Sequence, residues 1–322
     1  MPSARLLAAV AILAIAAGCS PATSGPSPTA KTAPQPFQGG YPIKVVCTIG
    51  QVTEMVSRVG GEHVRVEGIM GPGVDPHLYS PVASDVRRLS QADVIFFNGL
   101  HLEGRMASLF EKMARTKPAF AVTAGIVGRK DQRLRQPPEF EGLYDPHVWH
   151  DPLLWAECVD EVAARLAEFD PPHAADYRKN AEAYQSELKD LHSFCRDALA
   201  AIPKDRRVLV TAHDAFGYFG AAYNIEVFGL KGISTEEEKD LAHQEQIQAM
   251  LIERKVPAVF VETAVAPRTI ESLVEPCRAA GHELKIGGEL YADALGPADS
   301  DDATYAAMIR HNVHAIADAL SK

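Results

Sequence analysis

Four short stretches of this 322-residue chain carry a side chain suited to binding a divalent cation where the backbone stops being regular. They are "GPGVDPHLYSP" with His77, "LYDPHVWHDP" with His147, "VLVTAHDAFGYF" with His213 and "GGELYADALG" with Asp293. Glycine, proline or aspartate flanks each polar residue, so the chain is turning there rather than extending a strand. Imidazole is a good ligand for zinc, copper, nickel and iron, and a carboxylate adds charge and suits manganese. Three histidines and one aspartate would close a four-ligand shell around such an ion. The spacing is not a local motif such as HExxH, so an ion would have to bridge segments distant in sequence. Taken singly, each histidine has a second reading, because a histidine at a strand end also caps a turn or fills a polar pocket.

The neighbours of these residues leave alternatives open. Asp75 and Asp145 stand two residues before His77 and His147, each followed by proline. They are either Asx-turn formers or acceptors that orient an imidazole. His150 lies three residues after His147 and would share a helical face with it, but Pro146 and Pro152 bound the segment closely and Trp149 intervenes. Chelation, a supporting role and simple exposure all remain for His150. "HDAFGYF" and Glu262, in "VFVETAV", could provide an acid/base partner to a catalytic zinc, which is a hydrolase reading, and Glu262 is otherwise a candidate for supporting a ligand. Such a zinc needs an open coordination position, and four protein ligands leave none. The chain also lacks GxSxG, HExxH and GxxxxGK[ST]. The other eight histidines share no pattern and are read as surface or core residues.

Positioning these groups requires strands that end beside them. "IKVVCTIG", "VRVEGIM" and "DVIFFNG" read as strands, alternating with the helical "QVTEMVSRVGG" and "SPVASDVRRLSQA". This is the pattern of a parallel sheet with helices on both faces, in which ligands bind outside the carboxyl ends of the strands. Charged, proline-containing "GRKDQRLRQPPEFEGL" (128–143) reads as a surface loop. Residues 171–203 open on two prolines and contain no breaker until Pro203, so one long helix is expected. "RVLVTAH", "IEVFGL", "PAVFVE" and "HELKIGG" supply a second set of strands, and "TYAAMIRHNVHAIADALSK" an amphipathic closing helix. The expectation is an α/β fold of two lobes: 42–170, a linking helix over 171–203, and 204–322.

A net charge of −10 and a pI of 5.6 argue against nucleic acid as a partner, since phosphate neutralisation needs basic clusters. The start of the chain is more informative. A basic residue, Arg5, precedes the apolar run "LLAAVAILAIAAGC", which is short for a membrane span and ends in small residues. Residues 1–18 read as a secretory signal, and "IAAGC" resembles a bacterial lipobox in which Cys19 is lipidated. Residues 19–41, rich in Pro, Ser, Thr, Ala and Gly, bury too little surface to fold and read as a tether to a membrane outside the cytoplasm. Of the remaining cysteines, Cys47 reads as a small buried hydrophobe, and pairing among Cys158, Cys195 and Cys277 is left open.

Together, "GVDPHLYSP", "YDPHVWHDP", "HDAFGYFGAAYNIEVFGLKGISTEEE", "VFVETAVAPRTIESL" and "GELYADALG…TYAAMIRHNVHAI" resemble the substrate-binding lipoproteins of zinc and manganese ABC transporters, the TroA-like solute-binding family. The resemblance runs from about residue 42 to the end. It implies two α/β lobes, each with a mainly parallel sheet flanked by helices, joined by one long rigid helix with the metal held between them. It also implies His77, His147, His213 and Asp293 as ligands, matching the strand-end residues. Mn2+ or Zn2+, with Fe2+ as a further option, would be cargo, with no organic cofactor. The partners would be a permease and its ATPase, and the receptor would act as a lipid-anchored monomer that does no chemistry. A surface-adhesin role is compatible but has no residue arguing for it. His150 stands where the family usually has an apolar side chain. The long histidine-rich loop of zinc-specific members is absent, which tilts the expectation toward manganese or mixed specificity.

Overall fold

The computed structural model describes residues 36–321. The signal segment 1–18, Cys19 and the tether up to residue 35 lie outside them. Residues 36–41 do not hang free: the Phe37 N–H donates to Phe169 O at 2.7 Å, and Tyr41 donates its hydroxyl to Asp170 at 2.6 Å.

The N-terminal lobe alternates as expected: β1 (Ile43–Cys47), α1 (Gly50–Gly60), β2 (Val64–Gly68), α2 (Ala83–Gln91), β3 (Val94–Phe97), α3 (Ala107–Met113), β4 (Ala119–Ala121), α4 (Ala124–Gly128) and α5 (Pro152–Phe169). Its four strands form one parallel sheet in the order β2-β1-β3-β4. β1 is central and covered on both faces, which is why "IKVVC" is almost continuously apolar. On α1, Val52, Met55, Val56 and Val59 are buried at i, i+3, i+4 and i+7, so the sequence period is the packing face.

The segment expected as a helix from Pro171 to Pro203 forms a 3₁₀ turn at Pro171–His173 and then α6 (Ala174–Leu199). The helix stops before Pro203, whose ring disfavours helical geometry in the residue preceding it. Its 26 residues, about 39 Å long, bury Tyr177, Ala181, Tyr184, Leu188, Leu191, Cys195 and Leu199 along one stripe. That stripe packs on α1 and α5 of the first lobe and on α10 (Tyr305–Leu320) of the second, so one uninterrupted helix backs both.

The second lobe contains β5 (Val208–Thr211), α7 (Gly217–Tyr223), β6 (Glu226–Gly229), α8 (Leu241–Arg254), β7 (Ala258–Glu262), α9 (Arg268–Ala279) and β8 (Lys285–Leu290). Its strands pair as two parallel ribbons, β5-β6 and β7-β8, with β5 beside β7. Cys47, Cys158, Cys195 and Cys277 are all buried free thiols, and burial raises the pKa of each. Among the described residues, no helix is long and apolar enough to cross a membrane.

Candidate metal centre

The structure brings His77, His147, His213 and Asp293 together between the lobes, one ligand atom from each within 4.8 Å of the others. Among the described residues, this is the one grouping of three or more such side chains. Nε2 of His77 lies 3.1 Å from Nε2 of His147 and 3.9 Å from Asp293 Oδ2. Asp293 Oδ1 is 3.5 Å from His147 Nε2, and Oδ2 is 3.4 Å from His213 Nε2.

Each side chain is held by its own local device. His147 precedes a 3₁₀ turn (Val148–His150), and Asp145 Oδ1 accepts both its backbone N–H (3.0 Å) and its ring Nδ1–H (2.7 Å). His213 follows β5, and Glu262, at the end of β7, accepts its backbone N–H (2.9 Å) and its Nδ1–H (2.5 Å). A carboxylate only accepts, so both rings carry hydrogen on Nδ1 and turn Nε2 into the cluster. Asp293 follows β8. Asn312 of α10 grips Tyr291 by both its N–H and its carbonyl, at 2.9 and 2.8 Å. Ala292 O accepts from Trp149 Nε1 at 2.8 Å and from His150 Nε2 at 3.0 Å. His77 lies in the loop after β2, where Asp75 Oδ1 accepts the N–H groups of His77 and Leu78 at 2.9 and 3.3 Å.

The expectations for the supporting residues therefore divide. Asp145 is at once a turn former and the acceptor for a ring, as both readings allowed. Asp75 takes backbone N–H groups and the Thr235 hydroxyl, so it shapes the turn rather than orienting the imidazole. His150 is fully buried, packs at a tilt against Phe216 and binds the carbonyl next to Asp293, with no place in the ligand group. The "HDP" after Trp149 has a separate cause: Asp151 caps α5 by accepting from Leu153 N–H at 2.9 Å, with Pro152 in the first turn. Trp149 and Asn312 did not stand out in the sequence. The one available signal was that a buried indole N–H must find an acceptor.

The electrostatics are those of a charge-seeking cage. His213 Nε2 and both Asp293 oxygens are buried without a hydrogen-bond partner, and such orphaned groups in a folded interior require an explanation. Burial drives His77 down to about 3, leaving its ring neutral. Burial also opposes charge on His213, but Glu262 and Asp293 outweigh it and hold its pKa well above the ordinary histidine value. Asp293 is likewise disfavoured by burial, yet His213, His77 and His147 keep it below the ordinary carboxylate range.

Residues 45–319 match the family model described as zinc-uptake complex component A, periplasmic. The chain belongs to this family. It is 41% identical over 279 residues to the manganese-binding lipoprotein MntA of Bacillus subtilis, covering 86% of this chain and 90% of that one. It is also 41% identical over 283 residues to the zinc-binding protein TroA of Treponema pallidum, covering 88% and 90%. The solved structure of that periplasmic zinc-binding protein superposes with a TM-score of 0.82 at 39% identity, over 87% of this chain and 99% of the other. The family is one of solute-binding receptors, which disfavours the hydrolase reading. Glu262 agrees with that, since both its oxygens are engaged by His213.

Proposed function

We propose that this protein captures a divalent transition metal ion outside the cytoplasm through His77, His147, His213 and Asp293, and delivers it to the permease and ATPase of an ABC importer. The observation that carries this reading is the convergence of four buried donor atoms from two lobes. Asp145 and Glu262 orient two of the imidazoles toward the ion, as carboxylate partners of ligand histidines do. We further assign 1–18 as the signal, Cys19 as the lipidated terminus, the part of 19–41 before the docked residues 36–41 as the tether, and 42–170, 171–203 and 204–322 as lobe, linking helix and lobe of a membrane-anchored monomer.

The two relatives at 41% identity are named for different metals, so the choice of cargo rests on the donor set. Bonds of 2.0–2.1 Å in tetrahedral geometry put neighbouring ligand atoms roughly 3.4 Å apart. Four of the separations, 3.1 to 3.9 Å, lie around that value, and the whole set lies within 4.8 Å. Three imidazoles and a carboxylate accept zinc and manganese alike. The test is metal analysis of protein purified from its own host, with calorimetric titration by zinc and manganese. One tightly held ion per chain is the expected result; a wild-type protein that binds neither metal overturns the reading.

A further inference from the structure

His77 is held differently from its three companions. His147 and His213 each have a carboxylate on the ring, and the Asp293 segment is pinned on both sides. Asp75 grips His77 through the backbone. His77 is also the most accessible of the four, at 5% against 0–1% for the others.

Its loop is reached from the opposite lobe by the segment "KGISTEEEKD" (231–240), between β6 and α8. That segment is rooted beside another ligand: Gly232 O accepts the N–H of Asp214, the residue after His213, at 3.0 Å. Internal bonds from Gly232 N–H to Glu237 O and from Glu237 N–H to Ser234 O, both 2.9 Å, stiffen it. Two adjacent side chains then cross to the His77 loop. Thr235 donates its hydroxyl to Asp75 Oδ2 at 2.6 Å. Glu236 accepts from Arg105 Nε at 2.8 Å, and the same guanidinium donates to Leu78 O at 2.8 Å. The two ties land on residues 75 and 78, on either side of His77.

We propose that these ties form a latch between the lobes that holds His77 against the other three ligands, and that His77 is the ligand that leaves first when the ion is released. This rests on the metal-capture reading and names Thr235 as a positioning residue. The Thr235 bond carries most of the latch, because Thr235 is buried and its acceptor is charged, whereas Arg105 and Glu236 are half-exposed and their pairing is screened. Loss of one charge-assisted hydrogen bond should favour the open loop by about ten-fold. That change belongs to the release rate, since capture begins from the open state.

The test uses the full-length protein and Thr235→Val, which keeps the shape but lacks the hydroxyl, with Thr235→Ser as the rescue. Zinc release into excess chelator and zinc association are followed by stopped flow, and amide exchange of residues 71–82 is followed without metal. Thr235→Val should release zinc about ten-fold faster with association changed less than two-fold, and should exchange the His77 and Leu78 amides faster, while Thr235→Ser behaves as wild type. A wild-type release rate in Thr235→Val, or equal effects of Val and Ser, overturns the latch. If the wild-type protein binds no zinc, the capture reading fails and the metal-free exchange decides alone: faster exchange in Thr235→Val supports the latch, and unchanged exchange overturns it.

Discussion

Glu262 accepts two hydrogen bonds from one residue, the backbone N–H and the ring Nδ1–H of His213. One side chain at the end of β7 thereby sets both the position and the tautomer of the imidazole that follows β5. Glu262→Gln presents an amide NH2 to one of those two donors, and one bond must be lost. Metal affinity should fall about 10–100-fold, measured by competition with a chelator of known affinity. Asp145→Asn should cost less, because a single oxygen, Oδ1, accepts both bonds from His147 and the amide oxygen can take its place.

The raised pKa of His213 gives binding a pH dependence. Around neutrality the metal-free ring is protonated, so the ion must displace that proton, and affinity should rise about ten-fold per pH unit until the raised pKa is passed. Calorimetry in buffers of different ionisation enthalpy should detect close to one released proton near pH 7. The stability of the metal-free protein runs the other way. A raised histidine pKa contributes stability that is fully present below the unfolded value of about 6.5 and lost as pH rises through the folded value. Thermal melts of metal-free protein at pH 6 and pH 9 should show that component reduced at the higher pH.

Removing one cage member leaves three donors around a buried ion. Alanine at His77, His147, His213 or Asp293 should each weaken binding by at least about 100-fold, more than loss of a supporting contact. Calorimetric titration with zinc and manganese reads this directly, and unchanged binding in His147→Ala would sink the ligand assignment.

His150→Ala should separate stability from binding. It removes a fully buried ring packed against Phe216 and one of two donors to Ala292 O, while Trp149 keeps the other. The cavity should cost about 2–4 kcal/mol in chemical denaturation, with metal affinity changed much less than in His147→Ala.

Gly229, at the end of β6, is a close-approach position. A Cβ there would lie 2.4 Å from Asp214 N and 2.6 Å from the His213 carbonyl carbon. Gly229→Ala must therefore push the backbone carrying His213, and should lose about 1–3 kcal/mol of stability together with metal affinity, which melts and titration of the same sample would report.

The fold and the cage were legible to different degrees. The alternation that places His77, His213 and Asp293 after strands is written in local apolar period, because each strand and helix is selected by its own burial. Asp145 was only half legible: the same Asp-Pro-His pattern at Asp75 meets no ring nitrogen, so the local pattern announces the turn and packing decides whether the carboxylate reaches the imidazole. The role of His150 was not, because its partner, Ala292 O, is 142 residues away and a backbone carbonyl leaves no mark in a side-chain pattern.

The sequence by itself determined which residue types stand at the turns, where the strands and the long helix run, and which family the motifs resemble, since these are properties of neighbours along the chain. Only the tertiary structure decided that Glu262 belongs to His213, that Trp149 and His150 share one carbonyl, and that Thr235 reaches Asp75 across 160 residues. Those pairings depend on how two lobes pack against one helix, and buried polar groups take whichever partner that packing brings within 3 Å.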